Sequence, residues 1–189
     1  YLSSHGTLAW LATSLLGAPG RLVGSAWGSD ILVTPQRSRL LRWLTTRVLR
    51  ACVLSTSDSQ VMARRMAELG AGEVLTFPFG LEALPPLPAP GAKHDHLFFS
   101  NRALEAIYNP SRVLQLFAQL AQQWPDARLV MANDGALRPA LEQQAAATGL
   151  AGRVHFTGRL DTATQAGCYA QARWYLSLPH SDSVSVSVL

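Results

Sequence analysis

Short runs rich in β-branched and aromatic residues alternate along this chain with amphipathic stretches of helical period. The alternation is broken once, by a proline-rich segment. Strands alternating with helices of about 10–15 residues specify β-α-β units, because each helix carries the chain back to start the next parallel strand. Ahead of the break, Leu8, Leu11, Ala12, Leu15 and Leu16 recur at helical spacing, and Gly17 and Pro19 are stop signals. Residues 21–27 (RLVGSAW) read as a buried strand, with Gly28, Ser29 and Asp30 as the loop after it. Leu40, Leu41, Leu44, Val48 and Leu49 share one face of a second helix. Cys52 to Ser55 is a short strand, Ser57 or Asp58 N-caps a helix running to Gly70, and Glu73 to Phe77 is a further strand.

The segment from Gly80 to Lys93 contains Pro85, Pro86, Pro88, Pro90 and Gly91. Proline cannot donate to a sheet ladder or continue a helix, so this stretch reads as a stiff linker. It divides the chain into a first domain at 1–80, a linker at 81–93 and a second domain at 94–189. In the second, strands are expected at 96–100, 128–132, 153–157 and 174–178, and helices at 110–124, 137–148 and 162–172. The fold class is therefore α/β, with two Rossmann-like parallel sheets. The chain starts at Tyr1 and stops at Leu189 within an apolar/polar alternation, so both domains are expected to be incomplete.

Composition removes several classes. Hydrophobic residues make up 48% of the 189 and the net charge is only +4, which suits a packed core rather than disorder. The two cysteines, Cys52 and Cys168, are too few and too distant for a disulfide scaffold or a cysteine-rich metal site. No apolar run approaches the ~18 residues of a membrane-spanning helix, and no signal peptide is visible. His94, Asp95 and His96 sit together at the end of the linker but lack a complete ligand set. No Gly-x-Gly-x-x-Gly follows any strand, which argues against a Rossmann oxidoreductase.

Open parallel sheets bind ligands beyond the C-terminal ends of their strands. The residues at those ends are Gly28-Ser29-Asp30, Ser55-Thr56-Ser57, Pro78-Phe79-Gly80, Ser100-Asn101-Arg102, Asn133-Asp134-Gly135, Gly158-Arg159 and 179–183. They are small, polar or glycine, as a cleft for a polar ligand requires and as turns in general favour.

At these loops the sequence resembles the group 1 glycosyltransferases, family four of the sequence classification, which have the two-domain GT-B fold. The matching stretches are Gly28 to Ile31, Ser55 to Ser57, Phe77 to Gly80, Ser100 to Arg102, Asn133 to Gly135, Val154 to Gly158 and Ser181 to Leu189. They occur in the family's order along nearly the whole chain. The resemblance implies a glycosyltransferase that moves a sugar from a nucleotide-sugar donor to an acceptor hydroxyl with retention of configuration. It implies no obligatory metal or other cofactor, and a place in cell-envelope polysaccharide synthesis. A sugar-nucleotide epimerase of similar fold and a non-catalytic basic binding module are the alternatives. This segment alone is expected to be inactive.

The resemblance also assigns residues. Asp182 falls at the first of the family's two acidic positions, on the donor sugar, and the second position falls immediately after Leu189. Asp182 is expected at a helix start, where backbone N–H groups suit a diphosphate, with Ser181, Ser183 and Ser185 adding hydroxyl donors. Arg102 matches the arginine on the donor diphosphate, which a guanidinium grips bidentately. The lysine usual a few residues later is absent, and the loop reads Arg102…Tyr108-Asn109-Pro110, placing Asn109 in the donor set. Asn133-Asp134-Gly135 replaces a Gly-x-Gly, and Gly158 passes the nucleotide base. His5 lies where the family carries a catalytic histidine on the acceptor domain; a helix-start histidine is the other reading. Trp27, Gly28 and Asp30 fall on the acceptor side, Asp30 either binding acceptor hydroxyls or capping a turn. His155 reads as a strand-face residue, and His180 as a neighbour of the sugar pocket.

Arg37, Arg39, Arg42, Arg47 and Arg50 surround the second helix together with Trp43. Such a helix either rests on an anionic membrane or packs by its leucines with its arginines in water. The expected partners are thus a nucleotide-sugar, a saccharide or lipid-linked acceptor and an anionic membrane surface, with no nucleic acid. The expected location is the cytoplasm, either free or peripheral to the inner face of the membrane.

Overall fold

The computed structural model describes residues 2–17, 19–78, 80, 88, 89, 91–185, 187 and 188. The chain divides into two compact units, Tyr1–Leu81 with Ser181–Leu189, and Glu82–His180. Most of the expected linker, 81–87 and 90, lies outside the described residues, as does Phe79. The final segment, grouped by the sequence reading with 94–189, makes its contacts in the first unit.

The first unit carries helices α1 (His5–Leu15), α2 (Ser29–Leu32), α3 (Thr34–Arg37), α4 (Arg39–Ala51) and α5 (Gln60–Glu68), with strands β1 (Leu22–Ser25), β2 (Cys52–Ser57) and β3 (Val74–Thr76). The three strands pair in parallel in the order β1-β2-β3. The long apolar face of α4 buries Val48 and Leu49, and α5 buries Met62 and Met66. With Leu2, Ala26, Ile31 and Leu69 they form one core. Ser59, rather than Ser57 or Asp58, caps α5, accepting from the Met62 N–H at 3.2 Å. All three residues have the short oxygen a cap needs. Burial decides among them, because Asp58 is only 6% exposed and its carboxylate is taken up elsewhere.

The second unit contains strands β4 (His94–Ser100), β5 (Arg128–Ala132), β6 (Val154–Gly158) and β7 (Ala172–Tyr175). Its helices are α6 (Pro110–Gln123), α7 (Arg138–Ala147) and α8 (Thr162–Gln171). All four strands are parallel, in the order β6-β5-β4-β7. Side chains alternate faces along a strand, and β4 shows the result. Phe98 packs into the core of Val113, Leu114, Phe117, Leu129 and Leu141. Its neighbour Phe99 turns to the opposite face, with Ala132, Ala172 and Tyr169. Burial on both faces is what an all-parallel sheet requires. Pro110 opens α6 at its first turn, where its missing N–H costs no helical bond. Arg153 closes that helix from a distance, donating to the carbonyls of Ala121, Trp124 and Ala127.

Strand β7 begins at Ala172, directly after α8, two residues earlier than the sequence suggests. The residues 172–175 are the ones that find partners on β4, from His94 to Phe99. The short α2 occupies what reads as a loop, its Ile31 and Leu32 N–H groups donating to the Gly28 carbonyl.

Candidate functional site

The strand order of the second unit reverses between β4 and β7. In chain order the strands run 3-2-1-4, with the first-formed strand next to the last. Such a reversal opens a crevice at the C-terminal ends of the two strands on either side of it. The loop after β4 carries Asn101 and Arg102, and the loop after β5 carries Asn133 to Gly135. Backbone and side-chain hydrogen bonds lock these two loops together, among them the Ala136 N–H donating to Glu105 Oε1 at 3.0 Å. The Leu104 N–H donates to the Asp134 carbonyl, and the Leu137 N–H to the Leu104 carbonyl, both at 3.0 Å. Asn133 Nδ2 donates to Asn101 Oδ1, also at 3.0 Å. A Cβ on Gly135 would lie 2.5 Å from the Leu104 oxygen, so glycine is the residue that lets the loops close.

Arg102 is held at the mouth of this pair. Its guanidinium lies 4.3 Å from the ring centroid of Tyr108, in the range of a cation–π contact. Tyr108 sits in a 3-10 turn, Ala106–Tyr108, followed by Asn109 in the left-handed conformation at φ 51°. Asn109 thus serves the turn into α6, and its side chain makes no capping bond. Asn133 is also left-handed, at φ 78°, a conformation asparagine tolerates better than most residues. Its N–H donates to the Gly158 carbonyl at 2.7 Å, tying the end of β6 to the same loops. The structure therefore brings Arg102, Asn133, Gly135 and Gly158 to one end of one sheet. The His180 N–H, which donates to the Ile107 carbonyl at 2.9 Å, fastens the segment after β7 to the turn before Tyr108.

Beneath the mouth lie Tyr169 and Tyr175, their rings 5.6 Å apart. Burial pushes the Tyr169 phenol up to about 12, opposed by a hydrogen bond with Asn101. It stays neutral at physiological pH, hydrogen-bonded to Asn101. The sequence reading puts Asn101 and Tyr108 in the loop with Arg102 without giving either a role, and it does not single out Tyr169. The proximity of Asn101 and Tyr108 to Arg102 was the available signal, whereas nothing local marks Tyr169.

The remaining site residues belong to the first unit. Asp182 is exposed and accepts from the Ser183 N–H at 3.0 Å. No helix begins after it among the described residues, contrary to expectation. The polar groups there go elsewhere. Ser183 Oγ donates to Asp58 and pairs with Ser59 Oγ at 2.9 Å, while the Val184 N–H donates to Asp58 at 3.2 Å. Ser185 Oγ pairs with Ser187 Oγ at 2.7 Å. Ser181 is half-buried beside them.

His5 and Trp27 line one cavity of about 300 Å³ whose floor includes Leu2, Leu22, Val48 and Cys52. Trp27 is 61% exposed. Gly28, at φ 105°, turns the chain into α2. Asp30 is 2% exposed, and its two oxygens accept from the Trp27 N–H at 3.0 Å and the Leu2 N–H at 3.1 Å. Of its two expected roles, the structure gives it the turn cap.

Another cavity, of about 720 Å³, lies at the opposite, N-terminal ends of the second unit's strands, among His96, Asp126, Arg128 and Arg153. Arg153 is spent there on main-chain carbonyls. His96 stacks on Trp124 at 5.0 Å and bonds Asp126 at 2.8 Å, which holds that carboxyl below its ordinary pKa. Among the described residues no three histidine, cysteine or acidic side chains gather as a metal site would need. His155 is exposed on β6.

Two parallel α/β units, one with its polar loops gathered at a strand-order reversal, define a GT-B-like protein. The chain belongs to the family of glycosyl transferases group 1, whose model matches residues 89–189. No curated protein matches the chain. Among solved structures it is similar to HepE of Anabaena, crystallised with UDP and glucose, at 16% identity over 94% of this chain and 50% of that one, with a TM-score of 0.73. Sucrose-phosphate synthase from Thermosynechococcus elongatus is similar at 15% identity over 96% of this chain and 49% of that one, TM-score 0.77. The pneumococcal O-GlcNAc transferase GtfA, crystallised with UDP and GlcNAc, matches at 9% identity over 89% of this chain and 35% of that one, TM-score 0.71. The chain spans about half the length of HepE and of the synthase.

Proposed function

We propose that the full-length protein transfers a sugar from a nucleotide-sugar donor to an acceptor hydroxyl, with retention of configuration. The observation that carries this reading is the convergence of Arg102, Asn133, Gly135 and Gly158 at the strand-order reversal, in a chain of this family. Residues 94–189 are the donor side and residues 1–80 the acceptor side. Arg102 stabilises the negative charge that grows on the leaving diphosphate, a role worth most where the donor group is already in place before reaction. Tyr108 keeps it in place. Asn109 shapes the same loop, and Asn133 and Gly158 present backbone groups to the nucleoside.

Asp182 faces the donor sugar, with Ser181, Ser183 and Ser185 shaping its segment. His5 and Trp27 meet the acceptor, at a turn set by Gly28 and Asp30. The leaving charge is met by Arg102, so the chemistry calls for no metal. The acceptor is a saccharide or a lipid-linked saccharide. Trp43 and the arginines of residues 37–50 suit peripheral contact with an anionic membrane from the cytoplasmic side. No described helix is long and apolar enough to cross a membrane.

The test is thermal denaturation of the full-length protein with UDP, GDP, ADP and their sugars. UDP comes first, because HepE and GtfA were crystallised with it. A ligand that binds only the folded state raises the melting temperature, by about 2.7 kcal/mol of stabilisation at a hundred times its Kd. A rise with one nucleotide that Arg102→Ala abolishes supports the reading. No rise with any of them overturns it.

A further inference from the structure

A cavity of about 530 Å³ in the first unit is lined by Pro35, Gln36, Ser38, Arg39, Arg42 and Arg65. Half of these residues are arginines and none is a carboxylate. Arg39 and Arg42 stand three apart on α4, so they rise from one face of the helix, and Arg65 reaches in from α5. Like charges at that spacing repel. Neither Arg39 nor Arg42 has a side-chain hydrogen bond or ion pair among the described residues. Arg65 Nη1 pairs with Glu68 at 2.6 Å, which leaves the rest of its fork available. Ser38 Oγ accepts from the Leu41 N–H at 3.2 Å, so its own O–H remains to donate.

We propose that Arg39, Arg42, Arg65 and Ser38 form a binding site for a phosphate group. Guanidinium forks match phosphate oxygens bidentately, and three of them offer more N–H donors than one tetrahedral anion has lone pairs to use. An anion in the cavity also relieves the repulsion between Arg39 and Arg42. A free phosphate, a phosphorylated small molecule and a phospholipid headgroup share this chemistry. The site does not depend on the transferase reading.

The experiment uses the full-length protein carrying Arg102→Ala, so that phosphate binding at the donor loop does not contribute. Its melting temperature is measured against inorganic phosphate at constant ionic strength, with chloride as control. In parallel, the protein is sedimented with phosphatidylglycerol vesicles and with phosphatidylcholine vesicles. The double variant Arg39→Gln/Arg42→Gln is expected to weaken binding about tenfold or more, since each charge-assisted bond lost is worth about that factor. Arg21→Gln/Arg64→Gln removes the same charge from exposed positions outside the cavity and is expected to leave binding within about twofold. A response to inorganic phosphate assigns a soluble ligand, and a response confined to phosphatidylglycerol assigns a headgroup. No response in either arm overturns the site. Equal loss in both double variants also overturns it, because a diffuse basic surface would behave that way.

Discussion

Ser183 donates its hydroxyl to the buried carboxylate of Asp58, 125 residues earlier in the chain. The second oxygen of the same carboxylate receives the Val184 N–H. Asp58 is therefore the anchor of the segment that carries Asp182. Hydrogen bonds to a charged group are worth about 1.5–3 kcal/mol, and a buried donor left without its acceptor costs a similar amount. Asp58→Ala is expected to destabilise the first unit by about 2–3 kcal/mol in urea denaturation, and Ser183→Ala by about 1 kcal/mol. The double variant should cost less than the two single losses together. Faster amide exchange at Val184 in Asp58→Ala would trace the loss to this bond, and unchanged exchange there would sink the assignment.

Arg102 rests on the face of Tyr108, so the aromatic ring helps to set its aim. A cation–π contact at a partly exposed site contributes about 1 kcal/mol. Tyr108→Leu in the full-length protein is expected to lower kcat and kcat/KM for the donor about fivefold, and Tyr108→Phe to restore them. A rise in KM with kcat intact would mean that Tyr108 serves ground-state binding of the donor alone.

Gly135 closes the two loops of the second unit, and its substitution tests how rigid they are. Gly135→Ala drives a methyl against the Leu104 carbonyl, and overpacking of this kind costs about 1–3 kcal/mol. Gly152, with nothing within 4 Å of its would-be Cβ, is the control. Gly152→Ala is expected to leave the melting temperature unchanged or slightly raised.

Asp161 caps α8, accepting from the Thr164 N–H at 2.7 Å, and this bond holds its carboxyl below the ordinary value. A depressed folded-state pKa means stability that is present above the unfolded pKa and lost as pH falls through the folded one. The stability gap between the native protein and Asp161→Ala is therefore expected to be full at neutral pH. It should shrink as the pH drops below about 4. Denaturation midpoints from pH 7 to pH 2.5 would show a constant gap if the carboxylate were not involved.

The parallel sheets and their order along the chain were legible in the sequence because strand and helix periods differ and both cores are large. The strand Arg128–Ala132 and the proline start of α6 fall where the sequence puts them. Arg102, Asn133 and Gly158 lie at the ends of parallel strands, where the sequence reading puts them, and their expected roles came from the family resemblance. What stayed hidden is long-range. Nothing near Asp30 announces that it accepts the Leu2 N–H, and the choice of Ser59 over Asp58 as a cap depends on a partner at Ser183. Among the described residues no helix begins after Asp182, where the Ser183 hydroxyl and the Val184 N–H go to Asp58, a carboxylate that no local pattern points to.

The burial of Asp30 and Asp58 has a consequence for how the protein looks to an approaching ion. The first unit holds eight arginines against five carboxylates, and the second holds eight basic side chains against seven. Two of the first unit's five carboxylates point inward onto amides and a hydroxyl, leaving Glu68, Glu73 and Asp182 at the surface. Seven of its eight arginines are exposed. A formal charge of +4 spread over the whole chain thus becomes a lopsided field, concentrated on one unit. Anionic molecules should meet that unit first, at rates that fall as salt is added.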